Sequence, residues 1–134
     1  MTRPRIRHLA MFVRDPQAVA KFYQNVLDME LIHTRPSGEH FVSDGHITVA
    51  LIPHKLEASV PPGLNHFGFH VDSIAEIARR TVAAGVEEPK RRPADRPYAE
   101  YRGCDPAGNM FDLSEHGFET AESNEDRIKR KVPA

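Results

Sequence analysis

The sequence has a single cysteine, no tryptophan, almost no net charge and no long apolar run. Each shortage excludes something. Cys104 alone permits no intrachain disulfide, which suits a reducing compartment. Lys and Arg number 18 against 19 Asp and Glu, a formal net charge of -1, so nothing favours nucleic acid or an anionic membrane surface. No apolar stretch approaches the roughly 20 residues needed to span a bilayer. Arg3, Arg5 and Arg7 precede only a short apolar run, so no secretory leader is expected. These absences predict a cytoplasmic protein with no membrane or nucleic-acid partner. The nucleophile-elbow pattern, the phosphate loop, Cys-x-x-Cys and zinc-finger spacings are missing as well.

What is present is histidine, with eight in 134 residues, and a partial internal echo. The segment from Arg5 to Asp15 is an apolar strand pattern that carries His8 and ends in Asp. The segment from Leu64 to Asp72 repeats that form with His66 and His70. Alternation over residues 6–13 puts Ile6, His8, Ala10 and Phe12 on one face. Asp15-Pro16 then opens a helix, with Val19, Phe22, Tyr23, Val26 and Leu27 at helical spacing. Strands are expected at 29–34, 39–43 and 46–52, around a Pro36-Ser37-Gly38 turn and an Asp44-Gly45 hairpin signal.

The second half follows the same order. A strand over 65–71 leads to an Asp72-Ser73 cap and a helix carrying Ile74, Ile77, Ala78, Val82 and Ala83, ended by Gly85. Strands are expected at 86–90, 98–104 and 109–114, the last two joined by Asp105-Pro106-Ala107-Gly108. The predicted fold class is therefore α+β, with two βαβββ modules, about 5–52 and 64–116. They make one domain over 1–118, with residues 53–63 as linker and 119–134 as a charged C-terminal tail.

His8 and His66 hold corresponding places near the start of the two repeats, and metal binding is the commonest reason to converge histidines. The last strand offers Asp112 as a third ligand. Two imidazoles and one carboxylate leave open positions on an ion such as Fe(II) or Mn(II). His70 shares a strand face with His66 and is a candidate base, a support behind the ligands, an alternative ligand or a pocket wall. Glu100 is the other candidate base, and Tyr101 a hydrogen-bond donor to a bound oxygen or a packing residue. Glu100 and Arg102 share the face opposite Tyr101. Arg96 is a loop cation, read either as solvated or as a contact for an anionic substrate. His33, His46 and His116 read as solvated, and Cys104 receives no role.

Four segments together resemble the vicinal oxygen chelate superfamily, which includes glyoxalase I, methylmalonyl-CoA epimerase, extradiol dioxygenases, and the fosfomycin- and bleomycin-resistance proteins. They are Ile6-Arg7-His8-Leu9-Ala10, Phe22 to Met29, His66 to Asp72, and Asp105 to Leu113. The resemblance covers about residues 5–116 and implies that the two modules form a half-open barrel around a metal site, with metal ligands at His8 and His66. The carboxylate that is usually Glu in that superfamily falls on Asp112. Asp is one methylene shorter, which sets its carboxylate back by about 1.5 Å. Glu115 would point to the opposite strand face, and residues 47–51 carry no acid, so at most three protein ligands are expected.

The resemblance thus implies one divalent ion per chain (Fe(II), Mn(II), Ni(II) or Zn(II)) and a small-molecule substrate. It also implies a homodimer. The leading expectation is a metal-dependent lyase, isomerase or ring-cleaving dioxygenase that binds two neighbouring oxygens of a small metabolite. The competing expectation is a metal-free protein that sequesters a drug or metabolite in the manner of bleomycin-resistance proteins.

Overall fold

The computed structural model describes residues 3–55, 59–93 and 99–116. The expected Arg96 lies outside these residues, as does the C-terminal tail. The class is α+β, and the described residues form eight strands and two helices in the order β1 (Arg5–Val13), α1 (Pro16–Leu27), β2 (Glu30–Thr34), β3 (His40–Ser43), β4 (Thr48–Pro53), β5 (Gly63–His70), α2 (Ile74–Ala83), β6 (Lys90–Arg91), β7 (Tyr101–Cys104) and β8 (Met110–Ser114). The chain divides into two compact units, one over residues 8–65 and one that joins residues 3–7 to 66–116. No helix among the described residues is long and apolar enough to cross a membrane.

In the first unit the strands run β2-β3-β4-β1. β1 and β4 are parallel, with His8 opposite Thr48, while β2-β3 and β3-β4 are antiparallel. Helix α1 starts where the sequence places it. The Asp15 side chain accepts from the Ala18 N–H at 3.1 Å, and Pro16 occupies the first turn. It stops at Asp28, whose φ of 55° reverses the chain. Ala20, Val42 and Leu51 form the core, with Met11, Val13, Val19, Tyr23, Met29 and Val49 packed on it. The expected apolar face of α1 is only partly used: Val19 and Tyr23 reach the core, whereas Phe22, Val26 and Leu27 are exposed. Phe22 stands about 80° of helix turn from the middle of the Val19–Tyr23 stripe, and Val26 and Leu27 are the last two residues of α1.

The second unit repeats the arrangement as β5-β8-β7-β6. β5 and β8 are parallel, with Gly68 opposite Asp112 and His70 opposite Ser114. β8 and β7 are antiparallel, with Arg102 opposite Asp112 and Tyr101 opposite Leu113. α2 is capped by Ser73, whose hydroxyl accepts from the Glu76 N–H at 3.1 Å. Val71, Ile74 and Leu113 form the core under it, joined by Phe69, Ile77, Tyr101 and Phe111. Burying Leu113 fully contributes about 1.5–3 kcal/mol.

The strand expected at 86–90 shrinks to the two residues Lys90–Arg91. Val86 is drawn into the helix terminus, where its N–H donates to the Thr81 carbonyl at 3.1 Å. Pro89 then has no N–H to give a ladder. The last strand pair is correct in order, and β7 begins at Tyr101 rather than at residue 98, which lies outside the described residues.

Candidate functional site

Strand alternation divides the second unit into two faces. Phe69, Phe111, Leu113 and Tyr101 belong to the helix-facing core. His66, His70, Asp112, Ser114 and Arg102 alternate with these residues and take the other face. Tyr101, a candidate hydrogen-bond donor to a bound oxygen, thus stands on the side away from Asp112 and packs against Val71, Ile74 and Leu113.

At the centre is the Asp112 carboxylate, 1% exposed on β8. Its Oδ2 is 3.2 Å from His66 Nε2 on β5. From β7, Arg102 grips it twice: Nε donates to Oδ1 at 2.6 Å and Nη2 to Oδ2 at 3.2 Å. This is the fork geometry in which guanidinium and carboxylate fit best. Arg102 Nη2 also lies 3.3 Å from His66 Nε2. Arg92 approaches from just past β6, its Nη1 4.0 Å from Oδ1. Burial of the Asp112 carboxyl favours its neutral form, but the hydrogen bonds from His66 and Arg102 overrule burial and hold it well below the usual carboxylate range. Asp112 is therefore an anion at any physiological pH.

His66 is buried beside it. With a proton on Nε2 the ring donates to Asp112; without one it offers a lone pair in the same direction. Only the second form ligates a metal. An imidazole nitrogen and a carboxylate oxygen bound to one ion at about 2.1 Å stand about 3.0 Å apart at octahedral angles and about 3.4 Å apart at tetrahedral ones. The 3.2 Å between His66 Nε2 and Asp112 Oδ2 falls between these values, so the donor pair fits one edge of a metal's coordination shell. His8, the first expected ligand, lies half-buried on β1 in the other unit.

The remaining candidates sit further along the same strands. His70 Nε2 donates to the Glu115 carbonyl at 3.1 Å, which leaves Nδ1 with the lone pair in the neutral ring. Glu100 Oε1 accepts from the Ser114 hydroxyl and the Glu115 N–H, each at 3.2 Å, and lies 3.2 Å from His116 Nδ1. Its Oε2 is buried and has no hydrogen-bond partner among the described residues. Glu115 turns away, as its strand parity requires. Its carboxylate accepts the Ile74 N–H at 2.7 Å and serves the N-terminus of α2 instead of the site. His116 is exposed as expected, but it meets Glu100.

Arg102 is the residue that sequence reasoning passed over. The signal was available. The Asp105–Gly108 turn fixes Cys104 opposite Met110, and moving two residues away from the turn on each strand brings Arg102 opposite Asp112.

Comparison with known proteins agrees with this architecture. The uncharacterized protein PA2024 of Pseudomonas aeruginosa is 32% identical in an alignment 123 residues long that covers 83% of this chain and 88% of that protein. Among solved structures, the 2,3-dioxygenase LapB from Pseudomonas sp. KL28 matches with a TM-score of 0.65 at 19% identity, covering 81% of this chain and 39% of that one. Methylmalonyl-CoA epimerase from Mycobacterium tuberculosis matches with a TM-score of 0.58 at 19% identity, covering 81% of this chain and 85% of that one. Likenesses at this identity establish the fold and leave the reaction open. The profile of the Glyoxalase/Bleomycin resistance protein/Dioxygenase superfamily matches residues 5–113, and the chain belongs to that superfamily.

Proposed function

We propose that the protein is a divalent-metal-dependent enzyme acting on a small oxygenated metabolite, of the lyase, isomerase or ring-cleaving dioxygenase type. The observation that carries this reading is the buried pair of His66 Nε2 and Asp112 Oδ2, 3.2 Å apart and suited to one edge of a metal shell. His8 completes the proposed ligand set by the resemblance of its segment to the superfamily's first-strand ligand. With three protein ligands, a bound Fe(II), Mn(II), Ni(II) or Zn(II) keeps open positions and supplies Lewis acidity to a chelating substrate.

The chain's own groups take the remaining tasks. Asp112, held ionised by its neighbours, keeps its charge through a catalytic cycle. His70 is the first candidate to move a proton, through Nδ1, because Nε2 is committed to the Glu115 carbonyl. Glu100 is the second, since Oε1 is fixed by Ser114 and Glu115 while Oε2 lacks a partner among the described residues. Tyr101 has a packing role in this reading. The proposed assembly is a cytoplasmic homodimer with one ion per chain, carried over from the superfamily resemblance and the sequence composition.

One observation favours a second reading, a metal-free protein that sequesters a small molecule. The Asp112 carboxylate is already neutralised by the Arg102 guanidinium, so the site holds together without an ion. The two readings separate in a reconstitution titration. Protein stripped with chelator and titrated anaerobically with Fe(II), Mn(II), Ni(II) and Zn(II) takes up about one equivalent of at least one ion on the metal reading. His8→Ala and His66→Ala each lose that uptake. Absence of saturable uptake of all four ions by the parent supports the sequestering protein.

A further inference from the structure

Arg102 has no task in the reaction proposed above, yet it contacts both proposed metal donors of the second unit. Its Nη2 is 3.3 Å from His66 Nε2 and 3.2 Å from Asp112 Oδ2, and those two atoms are 3.2 Å from one another. The three atoms form a nearly equilateral triangle. His66 Nε2 has one lone pair, and it accepts an N–H from Arg102 or binds an ion, not both. Asp112 keeps a second lone pair on each oxygen, so what it shares between an ion and the guanidinium is charge: both oxygens already accept from Arg102. A guanidinium stays protonated at every accessible pH, so an ion bound on this edge would face a fixed like charge.

We infer that Arg102 is the exchangeable counter-cation of the metal edge. Its guanidinium holds His66 and Asp112 in place when no metal is bound, and metal binding displaces it. The inference rests on the metal-dependent reading above. It adds that Arg102 sets how tightly the metal is held, because each binding event must move its Nη2 off the His66–Asp112 edge against a fixed like charge. The displaced side chain has a way out. It is 24% exposed, and its strand β7 is flanked on the far side only by the two-residue β6. The arrangement also accounts for why a carboxylate with 1% exposure is tolerated before any ion arrives, since it is paired and hydrogen-bonded throughout.

The test is the affinity for Zn(II) and Mn(II), each measured by calorimetry on chelator-stripped parent, Arg102→Gln and Arg102→Lys. Arg102→Gln keeps a hydrogen-bond donor and removes the charge, and it is expected to bind at least tenfold more tightly than the parent. Arg102→Lys keeps the charge without the fork and is expected to fall between them. Equal or weaker binding by Arg102→Gln overturns the exchange while leaving the metal-dependent reading intact. No uptake by the parent or either variant overturns both. A readout on the parent does not depend on any variant folding: the Arg102 Nε–H resonance is expected to lose its carboxylate-bonded shift on addition of one equivalent of Zn(II). An unchanged resonance at saturation overturns the exchange.

Discussion

Arg102 Nε and Asp112 Oδ1 lie 2.6 Å apart across β7 and β8, closer than most charged hydrogen bonds. The pairing follows from strand register, with the two residues directly opposite on the site face. It commits the second unit to an ion pair on a buried carboxylate, with His66 beside it.

Breaking that pair from the carboxylate side strands Arg102 and His66. Asp112→Ala is expected to destabilise chelator-treated protein by about 3 kcal/mol, the low end for a buried pair because Arg102 is partly exposed. Urea unfolding measures it. A loss below about 1 kcal/mol would mean that the pair behaves as a surface ion pair.

The same carboxylate predicts a pH dependence. Folding depresses the Asp112 pKa, so as pH falls the unfolded chain takes up this proton before the folded one does. Its stabilising contribution is complete above the unfolded value of about 3.9 and is lost as pH drops toward the depressed folded value. The stability gap between parent and Asp112→Asn is therefore expected to be widest above about pH 5 and to narrow on acidification. Unfolding curves at neutral pH and near pH 3 test this, and an unchanged gap across that range would contradict it.

Much of this fold could be read in the chain. Asp15-Pro16 and Asp72-Ser73 announced both helices, because caps are local signals that neighbouring side chains satisfy within one turn. Gly85 and the Asp105–Gly108 turn marked two reversals for the same reason. The strand at 86–90 was over-read because Val86 is apolar, and its N–H is spent on α2. At the site, His66 and Asp112 stood out by residue type. Arg102 did not, because an arginine in a strand looks solvated until the turn register sets it opposite a buried acid. The partly exposed apolar face of α1 was also illegible, since periodicity reports that a helix is amphipathic and not how much of its apolar arc the sheet covers.

Gly103 is a position whose importance emerges only from packing. A Cβ there would stand 3.0 Å from Phe111 Cζ and 3.2 Å from Pro89 Cγ. Both neighbours are side chains, so Gly103→Ala is expected to fold with a loss of about 1–3 kcal/mol. Thermal unfolding reads the loss, and a variant as stable as the parent would show that Phe111 repacks freely.

Asp112→Glu probes the one-methylene departure from the superfamily's usual carboxylate. The added methylene enters a site with 1% exposure, so a loss of about 1–3 kcal/mol is expected without metal. Metal affinity is expected to equal or exceed that of the parent, as read by calorimetry with Zn(II). Weaker binding would show that the strand spacing here is fitted to the shorter side chain.

Elemental analysis by mass spectrometry of protein purified without an affinity tag tests the central claim most directly, with Asp112→Ala and His66→Ala alongside. The account predicts about one equivalent of Fe, Mn, Ni or Zn per parent chain and a loss of that equivalent in both variants. A parent chain without metal after anaerobic reconstitution, or a parent equivalent retained by both variants, would contradict it.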